Sequence, residues 1–165
     1  MAEQSTENKI KIYTDGACKG NPGNGGYGSI LTFVDSKGQY HEKELSAGYR
    51  LTTNNRMELM AAIVALEALK RPSEVILYSD SKYLVDAINE KWLDAWVFKN
   101  WKQNSKNPVK NIDLWKRLIK AKQPHFVEFI WVKGHAGHEY NERCDKLAVA
   151  AAMGENLLED TDFTP

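Results

Sequence analysis

The segment IYTDGACKGNPGNGG, Ile12–Gly26, places a single acid, Asp15, between an apolar stretch and a run rich in glycine. Alternating apolar residues predict a β-strand over 9–14, and the glycines predict a loop after it. The segment EVILYSD, Glu74–Asp80, has the compact apolar character of a strand buried on both faces, and it also ends on an aspartate. Asp15 and Asp80 are therefore predicted at the ends of two strands.

The rest of the chain predicts a sheet that is partly antiparallel and partly parallel, with helices packed on it. Strands over 27–34 and 40–51 follow the first strand closely, with a turn at Asp35–Gly38, and complete an antiparallel meander. The later predicted elements are a largely buried helix over 57–69 with Thr52, Thr53 and Asn54 as candidate caps, the strand 74–80, a helix from Ser81 toward Trp92, a helix over 111–121, a strand over 126–132 and a helix over 139–153. We expect an α/β fold on a five-stranded mixed sheet.

The order of the strands follows in part from their connections. In a meander the third strand runs parallel to the first, and a helical crossover returns the fourth strand parallel to both. The fourth strand can then lie beside the first, which would place Asp15 and Asp80 one interstrand spacing apart, about 4.8 Å. Open α/β sheets bind their ligands at this edge.

Two further acids lie on predicted helices and point to the same place. Glu58 heads a stripe of alanine and leucine on its helix, and Asp145 shares a face with small residues that allow close approach to the sheet. A buried carboxylate must be protonated, paired or bound to a cation. Oxygen ligands select hard ions such as Mg²⁺ or Mn²⁺, and two of these about 4 Å apart can activate a water and stabilise a leaving oxygen in attack on phosphorus.

The charge of the chain is balanced overall but unevenly distributed. The 165 residues include 22 basic and 22 acidic ones, whereas the stretch 97–122 holds eight basic residues and one acid. Tryptophans are interleaved with these cations, a combination suited to a phosphate backbone. A solvated surface segment is the alternative interpretation of the charges, and Trp115 and Trp131 are equally typical of packing residues.

Length and cysteine usage give expectations about organisation and location. We expect one domain over 1–165, with 1–8 and about 156–165 flexible. The N-terminus lacks the apolar core of a signal peptide, and no apolar run is long enough to span a bilayer. Cys18 and Cys144 lie far apart in the sequence. These features predict a cytoplasmic protein with reduced thiols and no membrane partner, and we expect a monomer.

Motifs spread over roughly residues 9–162 occur in the order and spacing of a known family. They are YTDGAC followed by GNPG and GG, then TNNRMEL, YSDSKY, WVKGHAGH and NERCDKLA. With them the sequence resembles ribonuclease H of the bacterial type 1 family, and the proteobacterial enzymes in particular. The resemblance implies a ribonuclease H-like fold with helices on both faces of the sheet. It also implies Mg²⁺-dependent endonucleolytic hydrolysis of the RNA strand of RNA/DNA hybrids, with Mn²⁺ as a substitute, leaving 5′-phosphate and 3′-hydroxyl ends.

The resemblance assigns roles residue by residue. The catalytic carboxylates that ligate metal are Asp15, Glu58, Asp80 and Asp145, and His135 matches a mobile histidine that assists proton transfer or product release. Contacts to the minor groove of the hybrid fall on Cys18, Asn21, Asn54 and Asn55, contacts to the DNA strand fall on Thr53 and Trp96, and a basic protrusion over 97–110 supplies Lys99 and Lys102. A single-strand DNA-binding protein, which some relatives engage, is the implied protein partner.

The chain departs from the family pattern at substrate-facing positions. Val97 and Phe98 stand where close relatives carry lysines, Ala95 replaces an asparagine, and Lys82 replaces a glutamine. We therefore expect weaker phosphate contacts and a shallower dependence of affinity on salt than in lysine-rich relatives.

Other classes of function fit the residues less well. A Mg²⁺-dependent small-molecule phosphatase with a nucleophilic aspartate would want a second aspartate where this chain has Ala17, and the glycine run lacks the Gly-Lys-Ser/Thr ending of a P-loop. A module that binds hybrids without cutting them has no use for four converging acids. A zinc site at His135, His138 and Cys144 matches no common structural spacing.

Overall fold

The fold is built on one mixed β-sheet, in a computed structural model that describes residues 9–102, 108–133 and 138–164. The strands are β1 (Ile10–Gly20), β2 (Gly23–Val34), β3 (Tyr40–Thr52), β4 (Glu74–Ser79), β5 (Phe126–Trp131) and β6 (Leu158–Glu159). Their order across the sheet is β5-β4-β1-β2-β3-β6. β1, β2 and β3 form the antiparallel meander, and β4 lies parallel to β1 on one side and to β5 on the other. The predicted fold class and the adjacency of β1 and β4 are confirmed.

The prediction of five strands is wrong, because the described part of the chain contributes a sixth. β6 has two residues and pairs in parallel with Tyr49 and Arg50 of β3. A strand of this length is too short to show alternation of apolar and polar residues, so the sequence carries no signal for it.

The predicted glycine-rich loop is also wrong, since most of its residues belong to strands. β1 and β2 pair continuously from Lys11 opposite Thr32 to Gly20 opposite Gly23, so only Asn21 and Pro22 lie between the strands. The glycines serve the packing of helices. A Cβ on Gly16 would lie 2.6 Å from the backbone nitrogen of Glu58, so only glycine lets the helix that carries Glu58 approach this closely.

Five helices are present in the described ranges, and they cover both faces of the sheet. They are α1 (Asn54–Glu67), α2 (Lys82–Asn89), α3 (Trp92–Phe98), α4 (Ile112–Lys122) and α5 (Glu139–Ala152). A Cβ on Gly25 of β2 would meet Met57 of α1, whereas one on the next residue, Gly26, would meet Ala148 of α5. Because successive residues of a strand point to opposite faces, α1 and α5 lie on opposite sides of the sheet.

The main core lies between the sheet and α1, with α2 and α4 behind it. Trp115 of α4 is fully buried there, which confirms a packing role for this tryptophan. Trp131 is 41% exposed and has no such role. The face under α5 carries a smaller cluster of Tyr13, Ile30 and Cys144.

The predicted helix from Ser81 toward Trp92 corresponds to α2 and ends before Trp92, where a separate helix that the sequence analysis did not predict, α3, begins. Ser81 caps α2 by accepting a hydrogen bond from the backbone of Leu84, as expected for its position. The helix ends at Asn89, and Lys91 takes a left-handed conformation with φ 61° before α3 begins. The apolar pattern continues through both helices, so it does not reveal this break.

The segment after α5 is attached to the body of the protein through Asp160. Its carboxylate accepts hydrogen bonds from Thr52 Oγ1 at 2.8 Å and from Arg56 Nε at 2.7 Å. The guanidinium of Arg56, which is 2% exposed, also donates to Asp113 at the start of α4. One buried cation therefore joins α1, α4 and the C-terminal segment, whose flexibility stays a prediction.

Candidate active site

Three carboxylates meet at the C-terminal ends of the two central parallel strands. β1 and β4 pair in the register that places Thr14 opposite Ser79, so Asp15 and Asp80, the next residues, emerge side by side. With Glu58 they form a group in which one oxygen from each residue lies within 4.8 Å of the others. The predicted meeting of these three acids is therefore seen in the structure.

The start of α1 delivers Glu58 to this edge of the sheet. Thr53 caps the helix, and its hydroxyl accepts a hydrogen bond from the backbone of Arg56 at 3.2 Å. Gly16, directly after Asp15, has no Cβ to keep the helix away. The first turns of α1 therefore lie against the backbone of β1, and Glu58 is 5% exposed.

Burial and mutual repulsion favour the protonated forms of two of these acids. Burial raises the pKa of Asp15 to about 8, with a further contribution from the charge of Asp80. The backbone N–H of Gly16, 2.9 Å from Oδ1 of Asp15, opposes this shift. Burial also raises the pKa of Glu58 well above its ordinary value, and the charges of Asp15 and Asp80 add to the effect.

The donor set fits a hard divalent cation. Within the described part of the chain, Oε1 of Glu58 and Oδ1 of Asp80 are buried and accept no hydrogen bond. An acceptor buried without a partner costs about 1–3 kcal/mol or more when charged, and a bound cation would remove this cost. All the candidate ligands are carboxylate oxygens, the type preferred by Mg²⁺, Mn²⁺ and Ca²⁺.

Of the other two predicted catalytic residues, the structure describes only Asp145. Asp145 lies on α5, half-buried, and its charge contributes to the raised pKa of Asp15, but it is outside the group of three. Its predicted role as a metal ligand stays a prediction. His135 lies outside the described residues.

One flank of the site is formed by Trp131, the last residue of β5, which sequence reasoning did not assign to it. Its indole Nε1 donates a hydrogen bond to the backbone oxygen of Asp80 at 3.1 Å. The ammonium of Lys82 lies 4.8 Å from the centre of the indole ring. The sequence predicted the strand 126–132 but not its register with β4, and it is this register that places Trp131 opposite Ser79.

The other flank gathers most of the residues predicted to contact the minor groove. Asn21 accepts a hydrogen bond from the backbone of Asn54 through Oδ1 at 3.0 Å. The thiol of Cys18 lies 3.4 Å from the backbone oxygen of Thr52, and Asn55 is exposed in the first turn of α1. Together with Thr53, these residues form one surface beside Glu58. Asn21, Thr53 and Asn55 also line an open cavity of about 920 Å³.

Trp96, predicted to contact the DNA strand, lies on α3, and Lys99 and Lys102, predicted to grip the hybrid from the basic protrusion, lie in the turn that follows. Trp96 is half-buried, with its ring 5.4 Å from that of Trp115, whereas Lys99 and Lys102 are exposed. The backbone returns at a bridge between Lys102 and Pro108. Residues 103–107 of the predicted protrusion lie outside the described ranges.

The two cysteines are unpaired thiols in this structure. Burial raises the pKa of both, and Cys144, fully buried, donates a hydrogen bond to the backbone oxygen of Tyr13. Reactive cysteines are exposed thiolates of lowered pKa, so this environment favours a packing role for Cys144 over redox sensing. The raised pKa of Cys144 also disfavours zinc binding, because zinc binds the thiolate form of cysteine.

A mixed sheet that brings buried carboxylates together at the ends of two parallel strands defines a class of proteins suited to metal-dependent phosphoryl transfer. The RNase H family model matches residues 7–153. With a match over most of its length, the chain belongs to the ribonuclease H family.

Curated relatives agree with this membership. The chain is 63% identical over 153 residues to a ribonuclease H of Lachnoclostridium phytofermentans, covering 92% of this chain and 97% of the relative. It is 57% identical over 157 residues to a ribonuclease H of the proteobacterium Edwardsiella ictaluri, covering 95% and 97%. The resemblance read from the motifs is confirmed.

Solved structures agree on the fold. LC9-RNase H1, described as a type 1 RNase H with the type 2 active-site motif, superposes with a TM-score of 0.80 at 32% identity and covers 91% of this chain and 74% of its own. LC11-RNase H1 in complex with an RNA/DNA hybrid superposes with a TM-score of 0.64 at 28% identity, covering 87% and 96%. Among the described residues, no helix has the length and apolar character needed to cross a membrane.

Proposed function

We propose that this protein is an endonuclease that hydrolyses the RNA strand of RNA/DNA hybrids, leaving 5′-phosphate and 3′-hydroxyl ends. The observation that carries the proposal is the cluster of Asp15, Glu58 and Asp80, in which two buried oxygens have no hydrogen-bond partner among the residues that the structure describes. Family membership and the hybrid complex of LC11-RNase H1 supply the substrate class.

The proposed cofactor is Mg²⁺, with Mn²⁺ as a substitute, held by Asp15, Glu58, Asp80 and Asp145. Two such ions would activate the attacking water and stabilise the leaving oxygen. The chain's own contribution is to hold its carboxylates at one edge of a rigid sheet. His135 is proposed to carry a proton to or from the reacting groups.

Recognition of the hybrid is proposed to use the surface beside Glu58 together with α3 and the turn that follows it. Cys18, Asn21, Asn54 and Asn55 would contact the minor groove, where 2′-hydroxyls distinguish RNA from DNA. Trp96, Lys99 and Lys102, together with Thr53 on the surface beside Glu58, would contact the DNA strand and the phosphate backbone. The exposed positions of the lysines and asparagines support this assignment.

The decisive experiment compares substrates in parallel. Labelled RNA/DNA hybrid, duplex RNA, duplex DNA and the single strands are each incubated with Mg²⁺ or with a chelator. We expect cleavage of the RNA strand of the hybrid alone, dependent on Mg²⁺, with products that a polymerase can extend because they end in 3′-hydroxyls. Asp15→Asn should abolish cleavage, whereas Glu90→Gln, an exposed acid at the end of α2, should not.

Two results would contradict the proposal and favour a rival. Mg²⁺-dependent hydrolysis of small phosphomonoesters without action on hybrids would indicate a phosphatase. Wild-type protein that retards hybrids on a gel but never cuts them would indicate a binding module.

The cellular location, the oligomeric state and the protein partner are proposed from the sequence. A cytoplasmic monomer is consistent with free thiols at Cys18 and Cys144. A single-strand DNA-binding protein is the proposed partner, and sedimentation of the protein with and without that partner tests both its oligomeric state and the association.

A further inference from the structure

Asp80 lies just beyond the last residue that the sheet holds by strand pairing. The ladder between β4 and β1 ends with Ser79 opposite Thr14, and the ladder between β4 and β5 ends with Ser79 opposite Trp131. The backbone N–H of Val132 still donates to the oxygen of Ser79 at 2.9 Å. The peptide that leads into Asp80 is therefore fixed. In the peptide that leads out of it, the N–H of Ser81 donates to Ser79 Oγ at 3.0 Å, while the carbonyl oxygen of Asp80 needs another anchor.

Trp131 supplies that anchor. Its indole N–H donates to the backbone oxygen of Asp80 at 3.1 Å, which holds the outgoing peptide. A tryptophan side chain has only two rotatable bonds, and here its backbone is the final residue of a paired strand. The donor is thus held in place by the sheet itself.

The side chain of Asp80 has less support of its own. Its Oδ1 is buried, and within the described residues it has no hydrogen-bond partner. The direction of the Cα–Cβ bond is set by the two peptides that flank the residue. The incoming peptide is fixed by β1 and β5, and the outgoing peptide is held at its N–H by Ser79 Oγ and at its oxygen by the indole. The indole contact therefore completes the support that orients the carboxylate of Asp80.

We propose that Trp131 is a positioning residue for the metal site, because its indole N–H holds the backbone of Asp80 and thereby aims the carboxylate at Asp15 and Glu58. The inference rests on the proposed function, since it concerns metal binding by that same site. Trp131 acts through the backbone of Asp80 and is not proposed to touch the reacting atoms. The ammonium of Lys82 lies 4.8 Å from the centre of the indole ring.

Metal affinity tests the proposal apart from catalysis. Mn²⁺ is titrated into wild-type and Trp131→Phe protein, with free Mn²⁺ followed by electron paramagnetic resonance. Outer-sphere partners of metal ligands change affinity by about 10–100-fold. We expect the dissociation constant for Mn²⁺ to rise about tenfold, the lower end of that range.

Cleavage kinetics should also show the weaker metal binding of Trp131→Phe, in a pattern that loss of folding cannot produce. Trp131→Phe should need about tenfold more metal for half-maximal cleavage. At saturating metal kcat should return toward the wild-type value, and KM for the hybrid should change less than twofold. A variant that was only partly folded would lose kcat at every metal concentration.

Two controls separate the N–H from other properties of the side chain. Trp92→Phe makes the same substitution at an exposed position of α3, and it should leave the Mn²⁺ dissociation constant unchanged. Replacement of Trp131 by β-(3-benzothienyl)alanine keeps the shape of the ring and substitutes sulfur for N–H. This isostere should reproduce the weaker binding of Trp131→Phe, and it serves as the main test should the phenylalanine variant fail to fold.

The outcomes distinguish this inference from the function on which it rests. Wild-type protein that binds Mn²⁺ as tightly as the benzothienyl variant overturns the role of Trp131 and leaves the nuclease assignment intact. Wild-type protein that binds no Mn²⁺ at millimolar concentration overturns both.

Discussion

Asp15 and Glu58 are 7% and 5% exposed, and the acids around them make their ionisation costly in the absence of metal. The pKa of Asp15 rises from 3.8 to about 8 on folding, first through burial and then through the charge of Asp80. Between these values the folded protein holds a proton that the unfolded chain releases. The contribution of the protonated Asp15 carboxyl group to stability is therefore present at low pH and is lost as the pH rises toward about 8.

Asp15→Asn should remove this pH-dependent loss. In chelator, we expect the melting temperature of the variant to exceed that of the wild type by a margin that grows from pH 5 to pH 8. A margin of about 2–4 °C corresponds to about 1 kcal/mol for a protein of this size. Glu90→Gln is the control for a lost exposed charge, and a difference that stayed constant with pH would contradict the explanation.

Arg56 is a second residue whose burial makes a strong prediction. It is 2% exposed, and its guanidinium donates to both Asp113 and Asp160. Arg56→Met leaves two carboxylates without their cation, and removal of one partner of a buried ion pair costs about 3–5 kcal/mol. Because Asp113 is itself 32% exposed, we expect the lower end, about 3 kcal/mol, in chemical denaturation.

Arg50 provides a matched control for this prediction. It pairs with Glu159 at 3.5 Å, but both side chains are more than half exposed. Arg50→Met should therefore cost under about 1 kcal/mol. Equal losses in the two variants would show that burial does not govern the effect.

At the scale of elements, the glycines of β2 set how closely α5 packs on the sheet. A Cβ on Gly28 would lie 2.5 Å from the backbone oxygen of Cys144 and 2.6 Å from Cβ of Leu147. Both contacts are with the turn of α5 that carries Asp145. The position of Asp145 therefore depends on Gly28 of β2, which has no side chain.

Gly28→Ala should push α5 outward. We expect a loss of stability of about 1–3 kcal/mol, the usual range for overpacking, together with weaker metal binding if Asp145 is a ligand. Gly154→Ala, where the nearest atom to an added Cβ is 3.4 Å away, should change neither quantity. Thermal denaturation and Mn²⁺ titration measure the two effects, and unaltered stability of Gly28→Ala would refute the packing argument.

The elements also show which parts of the fold could be predicted from the sequence. β4 has a compact apolar pattern, α1 has a long apolar pattern with a clear cap at Thr53, and the chain connections allow β4 to lie beside β1. The adjacency of β1 and β4, and with it the proximity of Asp15 and Asp80, was thus predicted as an arrangement that the topology permits, and the structure confirms it. Asp145 could not be placed in the same way, because its distance from the others depends on how α5 packs on Gly26 and Gly28.

The errors have local physical reasons. The run from Gly16 to Gly26 has a composition typical of loops, yet its glycines lie in paired strands because helices press on the backbone there. The break between α2 and α3 is a single left-handed residue, Lys91, within a continuous apolar pattern. The bond from Trp131 to Asp80 needs the register of two strands, which periodicity does not give.

At the scale of the whole molecule, affinity for a hybrid should depend on a few cations around the turn after α3. Phe98 is 90% exposed and Val97 is 49% exposed at positions where related enzymes are expected to carry lysines. Each lysine that contacts a phosphate steepens the slope of log K against log salt by about 0.9. The chain therefore should bind hybrids with a shallow salt dependence.

Val97→Lys with Phe98→Lys should steepen that slope by up to about 1.8 and tighten binding at low salt. Fluorescence anisotropy with a labelled hybrid in chelator, where no cleavage occurs, measures it. Phe126→Lys makes a similar exchange at an 80% exposed residue, at the opposite end of β5 from the acid cluster, and should leave the slope unchanged. An unchanged slope in the double variant would place the phosphate backbone elsewhere.

The outer edge of β3 affects how readily molecules of this protein associate with one another. β6 pairs only with Tyr49 and Arg50, so the earlier residues of β3 form a border of the described sheet. His41, Glu42, Lys43 and Glu44 are exposed along it. Charged side chains on such a border oppose the addition of strands from neighbouring molecules. Concentrated protein is thereby protected against edge-to-edge polymerisation.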